Sequence, residues 1–210
     1  GLKDSTVVVQ GCGNAGAHFA KLLHEQDGCR IIAISDSRGG IYDSSGLDVA
    51  DVLEHKKSTG TVVGYPAKAV SSVSNQELLE IECDVLAPSA LEDVITKENA
   101  CNIKTKVIVE LANGPVTPDA DDILYQRGVV VLPDILANAG GVTVSYYEWL
   151  QNCANERWDA ETVDRMLEQT MRTSTSSVIE KARREGVNNR LAAYMIAIGR
   201  IAEKMSHRGF

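Results

Sequence analysis

Several things are missing from this chain, and each absence narrows what it does. No uninterrupted apolar run approaches the ~20 residues needed to span a bilayer, and no signal-peptide pattern opens the chain. The five cysteines (Cys12, Cys29, Cys83, Cys101, Cys153) are an odd number without a C-x-x-C pair. They read as the reduced thiols of a cytoplasmic protein, not as a disulfide framework or a zinc site. The four histidines (His18, His24, His55, His207) show no ligand spacing, so no metal site is expected. Positive charge is short as well: the net charge of −8 argues against a general nucleic-acid or anionic-membrane surface. There is no internal repeat and no low-complexity linker. The remainder is ordinary globular protein: 210 residues, 44% hydrophobic and 24% charged, enough for one large domain or one domain with a helical appendage.

The informative stretch is Val7 to Asp36. Thr6 to Val9 is a short apolar run that reads as a buried strand. Gly11, Gly13 and Gly16 follow at G-x-G-x-x-G spacing, and Ala15, Phe19, Leu22 and Leu23 mark one face of a helix that Gly28 ends. Ile31 to Ile34 form a second strand, and Asp36 stands twenty residues after Gly16. Gly11 permits a tight turn, Gly13 lets backbone N–H groups approach a pyrophosphate, and Gly16 lets the helix pack close to the strand. Asp36 is spaced to accept hydrogen bonds from a ribose. The motif alone is weak; a strand before it, a helix after it and an acid at this distance supply the context it requires. The chain reaches its first strand almost at once, as expected of an enzyme that begins here or of a domain cut from one that preceded it.

Further along, Ser37-Arg38-Gly39-Gly40 reads as a turn, and Ser45-Gly46 introduces a helix carrying Leu47, Ala50, Val52 and Leu53. Thr61 to Tyr65 is expected to be a short strand closed by Pro66. Ser74 and Glu77 form a capping-box pattern. Asp84 to Ala87 reads as a strand, and Thr96 as the cap of another helix. Lys106 to Leu111 is a β-branched strand, Thr117-Pro118 opens a helix that Gly128 closes, and Val129 to Leu132 is the last strand. This alternation predicts an α/β fold: a Rossmann-like, doubly wound, mostly parallel sheet with C-terminal helices. The pattern changes at Ile135. Ala137 to Gly141 reads as a loop, followed by helices over Val142–Cys153, Trp158–Glu185 and Val187–Met205. The expected division is a dinucleotide-binding domain over 1–155 and helices over 156–210 that lack a core of their own and pack on the sheet or on something absent.

In open α/β sheets ligands lie across the carboxyl ends of the strands. The candidate residues are therefore Gly11, Cys12, Gly13, Asn14, Ala15, Gly16, Asp36, Ser89 and Ala90 (after Pro88), Asn113 and Asn138. The two asparagines are either holders of a nicotinamide ribose or carboxamide, or simple turn formers.

These residues also carry a resemblance. Gly-x-Gly-Asn with Ser35 to Tyr42, Glu110 to Pro115, Pro133 to Tyr146, Arg190 to Tyr194 and Arg208-Gly209 together resemble the C-terminal cofactor domain of the glutamate dehydrogenase family, among the Glu/Leu/Phe/Val amino-acid dehydrogenases. The likeness runs over essentially the whole chain. Asn113-Gly-Pro-x-Thr-Pro118 favours the glutamate branch over the leucine, valine and phenylalanine branches. The resemblance implies that Gly11, Gly13 and Gly16 hold a pyrophosphate, Ser35 and Asp36 the adenosine ribose, and Asn113 and Asn138 the nicotinamide half of NAD (NADP being possible). Val142 and Ser145 match positions that line the substrate pocket, the serine meeting the glutamate side-chain carboxylate. The alternative for Ser145 is a hydroxyl bonded to its own helix.

The implied activity is oxidative deamination of L-glutamate to 2-oxoglutarate and ammonia by an NAD(P)-dependent enzyme, a cytoplasmic homo-hexamer in full length. Cys12 departs from the family, which has phenylalanine there. The family's catalytic lysine and aspartate belong to a preceding substrate domain, and nothing in this chain matches them. The rival readings are a non-catalytic nucleotide-sensing module, which has no need of a substrate-facing serine, and a dehydrogenase for another substrate. The latter needs a catalytic His or Lys after a strand, and Lys97, Lys104 and Lys106 lie on the wrong side of theirs.

Overall fold

Three consecutive valines set the frame. Val7, Val8 and Val9 are β-branched, favour extended backbone and are fully buried, so their strand needs cover on both faces and a neighbour on both edges. In the computed structural model, which describes residues 1–207, that strand is β1 (Thr6–Gln10) at the centre of a seven-stranded sheet of order β4-β3-β2-β1-β5-β6-β7. The other strands are β2 (Arg30–Asp36), β3 (Gly39–Tyr42), β4 (Ser71–Val73), β5 (Cys83–Pro88), β6 (Thr105–Val109) and β7 (Val130–Leu132). β1 pairs in parallel with β2 and β5, and β5 with β6. β2–β3 and β3–β4 are antiparallel, so the sheet is mixed around a parallel centre.

Two compact units divide the chain, Gly1–Val131 and a second beginning at Leu132. In the first, side-chain alternation along β1 sends Val8 to one face, packed with Ile32, Leu78, Leu86 and Ile108. Val7 and Val9 go to the other, with Ala20, Ile34, Ile41 and Val52. The second face is covered by α1 (Asn14–Glu25) and α2 (Val49–Thr59), the first by α3 (Asn75–Leu79) and α4 (Pro118–Gln126). Their ends follow local chemistry. Ser74 and Glu77 complete a reciprocal capping box on α3, and the Thr117 hydroxyl accepts from the Ala120 N–H with Pro118 in the first turn of α4. His18 and His24 are exposed on α1.

The second unit holds α5 (Asp134–Ala137), α6 (Gly140–Ala154), α7 (Ala160–Glu185) and α8 (Asn189–His207). Its small core is Leu136, Val178, Ala182, Ala192 and Ala193, flanked by an ion pair of Arg190 Nη1 with Asp134 Oδ1 at 3.2 Å. Arg208 and Gly209, which carry part of the family resemblance, lie outside the described residues.

Five local expectations are corrected. Gly39 and Gly40 belong to β3, and only Ser37-Arg38 form the turn. Gly40 is closely packed: a Cβ there would come within 2.8 Å of Leu78 Cδ1 and 3.1 Å of Ser35 Cβ, so a side chain would make Leu78 shift. α2 is capped by Asp48, whose side chain accepts from the Asp51 N–H, not by Ser45. Thr61 to Tyr65 forms turns: the Val62 N–H is taken by Asp36 Oδ2 at 2.7 Å and the Val63 N–H by Thr61 Oγ1 at 3.2 Å, which leaves no strand ladder. After Thr96 there is one turn closed on the Thr96 carbonyl and no helix, because the Asn99 side chain folds back to accept from the Thr96 N–H and donate to the Val94 carbonyl. Ala137 to Gly141 is two helix ends meeting: Ala137 closes α5, Gly140 and Gly141 open α6, and the Asn138 N–H donates to the Asp134 carbonyl.

Asp84 ties three strands together. Its Oδ2 accepts from Thr6 N and Oγ1 at 2.9 and 3.1 Å, and its Oδ1 from Lys106 Nζ at 2.7 Å. The Lys106 ammonium and the Thr6 donors hold the carboxyl down, from the ordinary 3.8 to about 2. A lowered folded value means that this stabilisation is complete above 3.8 and is lost as pH falls toward about 2. Asp84→Asn should therefore cost about 1 kcal/mol at neutral pH, a figure that allows for solvent screening of a partly exposed pair. The difference between wild type and variant should close in acid; chemical denaturation at pH 7 and pH 2.5 measures it.

Candidate functional site

The end of β1 turns sharply into α1, and two glycines make this possible. Gly11 has φ +100°, and a Cβ there would lie 2.6 Å from Ala90 Cβ. At Gly16 a Cβ would overlap the Gly11 carbonyl oxygen. Gly13 is different: nothing lies within 4 Å of where its Cβ would be, so the space above it is open. Gly13 is the N-cap of α1 and offers no side-chain cap, and there is no acid in the first turn. The leading N–H groups of α1 thus face open space without a built-in acceptor, the condition that suits an anion.

Ser35 holds this turn from below. It is fully buried, its hydroxyl accepts from the Gly11 N–H at 3.2 Å and its carbonyl accepts from the Cys12 N–H. The Ser89 N–H donates to the Gln10 carbonyl at 2.7 Å, which brings Ser89 and Ala90 against the turn. Gly11 to Gly16, Ser35, Asp36, Ser89 and Ala90 are therefore gathered round the end of β1. Leu111 and Ala112 donate to the Pro88 carbonyl, each at 3.0 Å, and Asn113 follows them as an exposed residue. In the second unit, Asn138 is half-buried at the end of α5. Val142 (70% exposed) and the exposed Ser145 sit three residues apart on α6 and share a face.

Asp36 ends β2. Its Oδ1 accepts from the Arg38 N–H at 2.9 Å and its Oδ2 from Val62. Partial burial works to raise its pKa, but the Arg38 and Val62 N–H groups, the Thr61 hydroxyl and the Lys56 ammonium outweigh it and hold the carboxyl below its ordinary value. It is an anion at neutral pH with lone pairs remaining on both oxygens.

Lys56, in the last turn of α2, donates to the Cys12 carbonyl. With Lys21, Lys57 and His18 it lines an open groove of about 660 Å³ that runs past Gly13 and Asn14. The Cys12 thiol is buried. Burial pushes its pKa up and Asp36 adds to this, while Lys56 pulls it down less strongly. It stays a neutral thiol, a poor nucleophile.

A glycine turn at the point where the strand order reverses, with an ionised acid ending the next strand, defines a Rossmann-like doubly wound α/β protein. Comparison with known proteins goes further. Residues 1–209 match the model of the Glutamate/Leucine/Phenylalanine/Valine dehydrogenase family, and the chain belongs to that family. It is 48% identical over 207 residues to a glutamate dehydrogenase of Thermotoga maritima, covering 99% of this chain and 49% of that protein. To a cryptic catabolic NAD-specific glutamate dehydrogenase of Bacillus subtilis it is 45% identical, covering 100% of this chain and 48% of that protein. Among solved structures, a hetero-hexameric glutamate dehydrogenase from Thermus thermophilus superposes with a TM-score of 0.90 at 33% identity, over 100% of this chain and 49% of that one. The enzyme from Peptoniphilus asaccharolyticus does so with 0.82 at 35%, over 99% and 48%. The chain spans about half the length of the curated relatives it matches.

Sequence reasoning missed Lys56, the thread from Ser35 to Gly11, and Gln10. A lysine in a last helical turn looks like ordinary dipole compensation. Gln10 did leave a signal, as the one polar residue closing a run of valines.

The two glycines separate fold from binding. Gly16→Ala should destabilise the chain by about 3 kcal/mol, the upper end for an overpacked site, because backbone must move to admit the methyl. Gly13→Val should keep the melting temperature within a few degrees, since its backbone is ordinary and the space empty, yet abolish binding of any anion seated at the start of α1. Thermal melts paired with nucleotide titrations distinguish the two.

Proposed function

We propose that this chain is the cofactor-binding part of an NAD-linked glutamate dehydrogenase, which oxidises L-glutamate to 2-oxoglutarate and ammonia. The observation that carries the reading is the pairing of an open, uncapped α1 start at Gly13 with an ionised Asp36 at the end of the neighbouring strand. One suits a pyrophosphate and the other a ribose diol. The NAD-specific name of the Bacillus relative supports the same cofactor. When bound, the nicotinamide would supply the two-electron acceptor for oxidation at the glutamate α-carbon.

On this reading Gly11, Cys12, Gly13, Asn14, Ala15 and Gly16 cradle the pyrophosphate with backbone N–H groups. Asp36 binds the adenosine ribose, and Ser35 acts at one remove by fixing Gly11. Ser89 and Ala90 line the cofactor, Asn113 and Asn138 serve its nicotinamide half, and Val142 and Ser145 serve the substrate. Residues 1–155 form the dinucleotide-binding part and 156–210 the helical part. Acid/base catalysis comes from a domain outside this chain, as the half-length match to its relatives supports. The full protein is proposed to be a cytoplasmic homo-hexamer. Among the described residues no helix is long and apolar enough to cross a membrane.

Three outcomes follow. The chain should bind NAD more tightly than NADP, because the Asp36 carboxylate repels a 2′-phosphate. Asp36→Ser should narrow the gap, and calorimetric titration of both nucleotides measures it. The 210-residue chain alone should show no glutamate-dependent NADH formation, since the lost positioning is worth roughly 7–11 kcal/mol of barrier. In the full-length enzyme Ser145→Ala should weaken glutamate binding by about 1–3 kcal/mol with NAD affinity unchanged. Robust turnover by the chain alone would place the catalytic groups within it and overturn this reading.

A further inference from the structure

Among the described residues only two buried side-chain polar atoms lack a hydrogen-bond partner, Gln10 Oε1 and Asn75 Oδ1. Native proteins pair such groups, and an exception calls for a reason. For Asn75 the reason is structural: its Nδ2 donates to the Asp36 carbonyl at 3.0 Å and fixes the end of β2. Gln10 has no comparable task. It is the last residue of β1, pairs with Pro88 of β5 and is 5% exposed. β1 and β5 are the two central strands from which the sheet grows in opposite directions, so Gln10 stands at the switch point itself, where ligands of such sheets lie. A polar amide at this spot follows the three valines that fill the middle of the strand.

We propose that Gln10 is a cofactor-positioning residue whose side-chain oxygen accepts a hydrogen bond from the nicotinamide nucleoside of the bound dinucleotide. This rests on the dinucleotide reading above. An orphaned acceptor needs a donor, and the charged pyrophosphate expected at the glycine turn has none. The adenosine end is placed at Asp36, on the β2 side of β1. On the opposite side, toward Pro88, comes the nicotinamide nucleoside, which brings two kinds of donor, ribose hydroxyls and the carboxamide NH2. The oxygen is shielded from water while the site is unliganded. Terminal amide torsions are broad, so turning it toward an arriving donor needs only a rotation of the amide and no movement of β1.

The test is calorimetric titration of the chain and of Gln10→Met, which keeps the side chain's length and removes the acceptor, with NAD, ADP-ribose and ADP. The variant should bind NAD at least fivefold more weakly and ADP unchanged, and should melt no lower than wild type because an unpaired amide has been removed. Weakened ADP-ribose binding assigns the bond to the ribose; unchanged ADP-ribose binding assigns it to the carboxamide. Unchanged NAD affinity, or equal losses for NAD and ADP, would overturn the proposal. A second measurement needs no variant: the Gln10 side-chain amide resonances of the ¹⁵N-labelled chain should shift with NAD and not with ADP, and no shift with NAD overturns it. Failure of the wild type to bind NAD and ADP alike overturns the dinucleotide reading, and this proposal with it.

Discussion

The site depends on one close approach: the backbone of α1 lies so near the Gly11 carbonyl that residue 16 has no room for a side chain. This contact fixes where α1 begins and which way its first N–H groups point. The direction of those groups is what makes this strand-to-helix connection suit an anion. The contact is in turn braced from beneath by buried Ser35, which holds both Gly11 and Cys12, and from the side by Ser89 on the Gln10 carbonyl. Each brace spans a different strand, so the turn is anchored to β2, β1 and β5 at once.

The same economy appears at Asp36. Its carboxylate shapes the chain by holding the Arg38 turn and the Val62 loop, and those N–H groups are also what keep it ionised. Structure and charge state are a single fact here. A residue bonded in this way cannot wander, and its unused lone pairs are presented in a fixed direction. Lys56 plays a related part. By meeting the Cys12 carbonyl it places a cation close to the glycine turn without forming a tight ion pair with the neighbouring acid.

Much of this was legible in the residues, because glycine spacing, caps and apolar periodicity are local signals. The three-glycine turn, Asp36, the Ser74–Glu77 box and the Thr117-Pro118 start all follow from steric or hydrogen-bonding rules within a few positions. What was not legible depended on distant partners. Gly39-Gly40 has the composition of a turn, and is a strand through its pairing with β2 on one side and β4 on the other. Thr61 to Tyr65 has the composition of a strand, and becomes a loop because Asp36 captures its N–H. Ser35, which the resemblance puts at the adenosine ribose, is buried and also braces Gly11, a role no spacing rule announces.

The order of strands also bears on how the chain is made. β1 comes first in chain order within this sheet, yet its register runs from Val7 to Val85 on one side and from Val7 to Ile31 on the other. The near neighbour can pair early. The far one must await the emergence of β5, and closing so long a loop is slow because its entropy is spent before the contacts form. Until then the three valines present one bare edge, of the kind that recruits stray strands. The glycine turn cannot be complete in that interval, since Ser89 and Ala90, which close it, come from the end of β5. The glycine turn is encoded between Gly11 and Gly16 and is finished only when Ala90, 74 residues further along, is in place.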